Sequence, residues 1–134
     1  MVKRKKIIDL KGPILFVEDD KLFSMLAIDK LKDNGYEVHH FENIVSAYNE
    51  IEHGLFYRVA LIDLSIGGDD SLNGDSGQYM AQLSKERNPD VPIIILSAYS
   101  HVTVPCADRI LRKPIKINDL ISIINEVIEE GVRK

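Results

Sequence analysis

The sequence predicts an α/β fold, a doubly wound parallel sheet with helices on both faces, from three observations. Short apolar runs alternate with segments of helical period along the chain. Three of these runs, Ile14-Leu15-Phe16-Val17, Val59-Ala60-Leu61-Ile62 and Ile93-Ile94-Ile95-Leu96, are apolar at every position, as strands covered on both faces are. Each then runs into a polar residue at its carboxyl end, where open parallel sheets bind ligands. A length of 134 residues suits one compact domain over 1–134, with a flexible basic segment expected over 1–11.

The elements follow in order. Ile14–Val17 is the first strand. Asp20 is placed to cap a helix whose apolar face is expected to carry Leu22, Met25, Leu26 and Leu31, closed by Asn34-Gly35. Tyr36 to Phe41 mixes apolar and polar positions, as a sheet-edge strand can. Asn43 caps a short helix through Ala47 and Ile51, ended by His53-Gly54. Val59–Ile62 leads into Asp63, and a polar, glycine-rich loop runs from Leu64 to about Ser76. Gly77 to Arg87 has helical spacing at Met80, Leu83 and Arg87, stopped by Asn88-Pro89. Pro92 introduces the next strand, and Arg109-Ile110-Leu111 is a short last one. Asn118 is expected to cap a final helix with Leu120, Ile121, Ile124, Val127 and Ile128 on its apolar face. Between the last two strands, Ser100 to Asp108 contains Val102-Thr103-Val104 and Pro105, which disfavour a helix interior. A loop or a single turn is expected there.

Composition narrows the function. The net charge of −4 argues against generic nucleic-acid binding, where a basic face supplies most of the affinity. The run Lys3-Arg4-Lys5-Lys6 reads as a solvated tail rather than an anion-binding arm. The residues after it, Ile7 to Pro13, break too early for the apolar core of a signal peptide. No apolar run, Ile93 to Leu96 included, approaches the length that spans a bilayer, so no membrane partner is expected. The single cysteine, Cys106, cannot form an internal disulfide and fits a reducing, cytoplasmic setting.

The chemistry gathers at the strand ends. The first strand ends in Glu18-Asp19-Asp20, the third in Asp63 and the fourth in Ser97, while the last is followed by Lys113-Pro114. In a doubly wound sheet these groups converge on one cleft. Converging carboxylates raise one another's pKa unless a positive charge sits among them. A hard divalent cation that keeps some of its water, such as Mg²⁺, meets that need and also accepts a phosphate oxygen. Asp63 can then act as a carboxylate nucleophile towards phosphorus, with Lys113 and the Ser97 hydroxyl stabilising the transferring group. Acidic residues after a strand often only cap the next helix, which accounts for Asp20 but not for Glu18.

These residues resemble the receiver domain of bacterial two-component response regulators. The matching pieces are Ile14 through Asp20, Ala60-Leu61-Ile62-Asp63, Ile95-Leu96-Ser97-Ala98 and Arg112-Lys113-Pro114. The resemblance implies a flavodoxin-like sheet of five parallel strands in order 2-1-3-4-5 and a cis Lys113–Pro114 peptide. It implies Glu18 and Asp19 as the acidic metal pair, Asp63 as phosphoacceptor, and the Ser65 backbone carbonyl as a further ligand to Mg²⁺. Ser97 resembles the switch hydroxyl and Lys113 the lysine that contacts the phosphoryl group. The implied function is a phosphorelay switch rather than an enzyme with an external substrate. Its donor would be a histidine kinase or histidine phosphotransfer protein, and its downstream partner another protein.

Three departures stand out. Ile66-Gly67-Gly68 begins a longer loop where a Met-Pro pair is usual, with Gly77 as counterpart of the glycine that normally follows. Ile110 occupies the place of an aromatic that couples to the switch hydroxyl. The stretch from Ser97 to Lys113 is short, in keeping with a shortened or missing fourth helix. Asp69, Ser71, Asn73 and Gly74 echo the start of a calcium loop, but Met80 stands where a bidentate Glu is required. Two other classes compete. One is a receiver-like interaction module that works without phosphorylation. The other is a small hydrolase or flavin protein, disfavoured by Ser65 in place of a second Asp and by carboxylates where a phosphate loop would be.

Overall fold

The structure is a computed structural model that describes residues 11–66, 75–99 and 102–133. Five strands and four helices alternate among them: β1 (Pro13–Val17), α1 (Lys21–Asp33), β2 (Glu37–Phe41), α2 (Ile44–Glu52), β3 (Val59–Asp63), α3 (Asp75–Arg87), β4 (Ile93–Ser97), β5 (Arg109–Arg112) and α4 (Ile117–Arg133). The strands form one parallel sheet in the order β2-β1-β3-β4-β5, as the resemblance implies. The order reverses between β1 and β3, so Glu18 and Asp63 emerge side by side.

Strand alternation sorts the core into two layers. Leu15, Val17, Ala60, Ile62, Ile93 and Ile95 face α2 and α3, where Ile51, Met80, Ala81 and Leu83 cover them. Ile14, Phe16, Val59, Leu61, Ile94 and Leu96 face α1 and α4, beneath Ala27, Leu31, Leu120 and Ile124. β2 lies at the sheet edge, and its Val38 to Phe41 are half-buried, which explains its mixed sequence.

The caps fall largely where expected. The Asp20 carboxylate accepts the Phe23 N–H at 3.0 Å, and Asn43 Oδ1 accepts the Ser46 N–H at 2.9 Å. Asn34 closes α1, and Gly35 leaves it with φ 91°, a conformation glycine adopts without steric cost. Asn118 is not the cap of the last helix. α4 already begins at Ile117, and the Leu120 N–H donates to the Lys116 carbonyl at 3.0 Å, which puts Asn118 inside the first turn.

The face of α1 also needs correction. Leu22, Met25 and Leu26 are exposed, whereas Ser24, Ala27 and Leu31 are buried, with Phe23 and Ile28 packing beside them. Helical period alone allowed either stripe. Small side chains at Ser24 and Ala27 let the helix lie close to the sheet, and Ser24 satisfies its hydroxyl on the Lys21 carbonyl at 3.2 Å.

Residues 102–108 contain no helix, in line with the β-branched run and Pro105. Side chains fasten this stretch instead. Asp108 Oδ2 accepts the Ile93 N–H at 2.8 Å, Gln78 Nε2 donates to the Thr103 carbonyl at 3.1 Å, and Val104 is buried. The calcium-like positions Asp69, Ser71, Asn73 and Gly74 lie outside the described residues, as does the basic run at 3–6. Among the described residues no helix is long and apolar enough to cross a membrane.

Candidate functional site

Strand ends build the site. Glu18 follows β1, and its N–H donates to the Phe41 carbonyl at 3.0 Å, which carries the sheet pairing one residue past the strand. Its side chain is fully buried, and both carboxylate oxygens are engaged. Oε2 accepts the Asp20 N–H at 3.1 Å, and Oε1 accepts from the Lys113 ammonium at 3.0 Å. Asp63 ends β3, nearly buried; its Oδ1 accepts the Ser65 N–H at 3.3 Å and lies 3.6 Å from Lys113 Nζ. Asp19 is exposed beside them. One carboxylate oxygen from each of Glu18, Asp19 and Asp63 falls within 4.8 Å of the other two.

This crowding shows in the proton affinities. Burial, and then the Asp63 charge, raise Glu18 from 4.5 to about 7, against the lowering pull of Lys113 and the Asp20 N–H. Burial also raises Asp63, opposed first by Lys113. Burial alone would lower Lys113, but its hydrogen bond to Glu18 and the Asp63 charge outweigh that and hold the ammonium above its ordinary range. Lys113 is thus a fixed positive charge between two carboxylates that would otherwise repel.

The donor set fits a small, hard cation. Mg²⁺ takes oxygen donors at about 2.1 Å and keeps several waters, so a few gathered carboxylates suffice to hold it. All three are hard carboxylate oxygens, and the raised Glu18 gives a bound proton that a dication would displace.

The remaining expected residues are close by in the chain but differently engaged. Ser97 is buried at the end of β4, where its hydroxyl donates to the Tyr99 carbonyl at 3.0 Å and accepts the Tyr99 N–H at 3.0 Å. Ser65 sits two residues past Asp63 in a half-buried turn. The Lys113–Pro114 peptide is cis. Gly77 fills the place expected of it for a steric reason. A Cβ there would lie 2.5 Å from Leu64 Cα, 2.6 Å from the Leu64 carbonyl oxygen and 2.7 Å from that of Asp63. α3 therefore rests against the backbone that carries Asp63.

Two neighbours were not foreseen. The Phe23 ring lies 5.2 Å from Lys113 Nζ, in cation–π range, and with Ala98, Pro114 and Ile115 it lines an apolar groove of about 380 Å³ beside the ammonium. His40 donates from Nε2 to the Glu18 carbonyl at 2.9 Å and packs 5.3 Å from the Phe16 ring. The sheet order carried a signal for His40, because β2 beside β1 sets it opposite Phe16. Nothing in the spacing of Phe23 announced its contact.

Comparison with known proteins fits this geometry. The sequence profile of the response regulator receiver domain matches residues 14–125, from β1 into α4. The chain belongs to the response regulator receiver domain family. This receiver is 27% identical over 121 residues to the response regulator receiver protein CpdR of Brucella abortus, covering 86% of this chain and 95% of that protein. A CheY-like receiver domain protein from Methanospirillum hungatei superposes with a TM-score of 0.77 at 23% identity, covering 90% of the receiver and 96% of its counterpart. The response regulator protein TrrA of Thermotoga maritima, solved in complex with Mg²⁺–BeF, superposes with a TM-score of 0.70 at 26% identity, over 85% and 96% of the two chains.

Proposed function

We propose that this receiver, acting as one unit over 1–134, is the phosphoacceptor switch of a two-component system. Asp63 takes a phosphoryl group from a phosphohistidine donor, and phosphorylation changes affinity for a protein partner. One observation carries the reading: Glu18, Asp19 and Asp63 converge within 4.8 Å, with the Lys113 ammonium between two of them. That arrangement has no structural use that a simple cap would not serve at less electrostatic cost.

The chemistry follows from the groups present. An unprotonated Asp63 oxygen attacks phosphorus while the P–N bond to the donor imidazole breaks, the bonding pair leaving with the nitrogen; the product is an acyl phosphate. Mg²⁺ held by Glu18, Asp19, Asp63 and the Ser65 backbone carbonyl would supply charge neutralisation at the phosphoryl oxygens. Lys113 donates to one of those oxygens. Ser97, once free of the Tyr99 backbone, donates to another. The receiver acts on itself alone, promoting its own phosphorylation and dephosphorylation.

The donor is a histidine kinase or histidine phosphotransfer protein. Leu22, Met25 and Leu26, exposed on α1 beside the site, give it an apolar surface to dock on. The setting is cytoplasmic, where Cys106 stays reduced. Incubation with Mg²⁺ and acetyl phosphate tests the assignment. A base-labile acyl phosphate should form in the wild type and be absent in Asp63→Asn; label retained by that variant would refute it.

One observation favours a second reading, an interaction module that needs no phosphorylation. The Ser97 hydroxyl is already satisfied within its own loop. Equal partner affinity with and without beryllofluoride would select that reading, and a clear difference would reject it.

A further inference from the structure

The proposed chemistry leaves one contact of the site without a role, the aromatic ring against the Lys113 ammonium. The ring belongs to Phe23, in the first turn of α1, and its centroid lies 5.2 Å from Lys113 Nζ. Main chain and side chain are both held in place. The Phe23 N–H donates to the capping Asp20 carboxylate at 3.0 Å, which sets the backbone. The ring meets that of Phe16 edge to face, with centroids 6.4 Å apart at 70°. Phe16 is itself fully buried in β1, with His40 packed against it.

Lys113 has use for a fixed neighbour. Opposite charge holds its ammonium at rest: Glu18 Oε1 lies at 3.0 Å and Asp63 Oδ1 at 3.6 Å, and Asp20 lines the same groove. Glu18 and Asp63 are also two of the three carboxylates gathered to share a dication, with Asp19 as the third. Carboxylates whose charge is committed to a cation hold an ammonium weakly, and two cations at one site repel. The lysine stem is flexible and the side chain is 22% exposed, so a way out to solvent is open. The attraction of a ring quadrupole is not used up in this manner. It persists whatever charge the carboxylates carry, and it strengthens where water is excluded. Ala98, Pro114 and Ile115 supply that apolar surrounding, in the groove that Phe23 shares with Lys113.

We propose, on the phosphoacceptor reading of Asp63, that Phe23 is a positioning residue for phosphoryl transfer: its ring keeps the Lys113 ammonium at the site once the carboxylates are committed to a metal ion, ready to meet the phosphoryl oxygens. Phe23 acts through Lys113 and touches no reacting atom. An aliphatic side chain at this position would fill space beside Phe16 but would offer the ammonium no negative face, so the position uses the electronics of the ring as well as its bulk.

Fluorinated phenylalanines at position 23 test this, because one to three ring fluorines strip the face of its negative charge with little change of shape. Each protein is titrated twice, with Mg²⁺ alone and with beryllofluoride at saturating Mg²⁺, the beryllofluoride standing in for the phosphoryl group. Beryllofluoride affinity should fall stepwise with each fluorine, roughly fivefold for the trifluoro ring, and at least as far in Phe23→Leu. Mg²⁺ affinity should hold or rise slightly, because the ammonium that opposes the cation is less firmly kept beside it. Proton NMR reads the contact without any phosphodonor: the Lys113 ε-methylene protons should be shifted upfield by the ring, with and without Mg²⁺, and should return to ordinary values in Phe23→Leu. Flat beryllofluoride affinity across the fluorine series would overturn the role. So would a parallel loss of Mg²⁺ affinity, which marks general support of the fold, or an upfield shift that vanishes on adding Mg²⁺. A wild type that binds Mg²⁺ but no beryllofluoride would sink the phosphoacceptor reading itself, and the role of Phe23 with it, before any variant is compared.

Discussion

Removing the Glu18 charge probes the electrostatics of the site most directly. In the folded protein Glu18 holds its proton to about pH 7, against 4.5 for an ordinary glutamate. Between those values folding takes up a proton, so stability falls as pH rises; the contribution is complete below the lower value and gone above the upper one. A difference of that size, at about 1.36 kcal/mol per pH unit, corresponds to about 3 kcal/mol. Asp63 moves in the same direction and adds to the slope. Lys113 is raised from 10.5, so its contribution is lost only at higher pH and leaves this window untouched. Urea unfolding followed by circular dichroism without divalent ions, at about pH 5 and about pH 8, measures the effect. Wild type should lose about 3 kcal/mol more across that interval than Glu18→Gln, which has no proton to release. Mg²⁺ competes with the same proton, so its apparent affinity for the wild type should rise up to about tenfold per pH unit through the window. Equal pH slopes in the two proteins, or a wild-type slope that rises relative to the variant, would refute the reasoning.

Other perturbations separate packing from chemistry. Gly77→Ala should gain about 1 kcal/mol of helix propensity and lose more to backbone overlap, for a net loss of about 1–3 kcal/mol in urea unfolding and weaker Mg²⁺ binding; the three contacts under 3.0 Å decide the sign. Leu22→Ser with Met25→Ser should leave stability within about 0.5 kcal/mol, because both side chains are exposed. The same pair should slow phosphotransfer from a donor protein but not from acetyl phosphate, and equal slowing with both donors would count against the α1 docking surface. Ser97→Ala should cost about 1 kcal/mol of stability and slow acyl phosphate formation by roughly tenfold, the worth of one hydrogen bond in the transition state.

Most of the sheet was legible because its strands are short, apolar throughout and separated by helix-period segments. A run such as Ile93-Ile94-Ile95-Leu96 has few other stable homes, and all four residues are fully buried. The site was legible for a related reason: β1, β3 and β4 carry their polar residues at one end. The failures came where sequence offered two equivalent solutions. α1 has large aliphatics on one stripe and Phe23, Ala27 and Leu31 on another, and close packing on the sheet selected the smaller set. Asn118 is a good cap residue two positions too late, because α4 opens at Ile117 and the cap position falls on Lys116. The grip of Lys113 on Glu18 was out of reach as well. The resemblance makes Glu18 a metal ligand and Lys113 a contact of the phosphoryl group, but which carboxylate holds the ammonium beforehand depends on distances of about an ångström.

The glycine contact of α3 has a mechanical consequence. Side chains between a helix and a strand can swing to absorb small displacements, whereas Gly77 presents bare main chain to the main chain of Asp63 and Leu64. A junction of that kind has no slack: if the carbonyl of Asp63 shifts, the first turns of α3 must shift with it. The next residue, Gln78, grips the carbonyl of Thr103. Two consecutive residues thus form a short rigid linkage from the end of β3 to the stretch that stands in for a helix, delivering any movement there without passing through the hydrophobic interior.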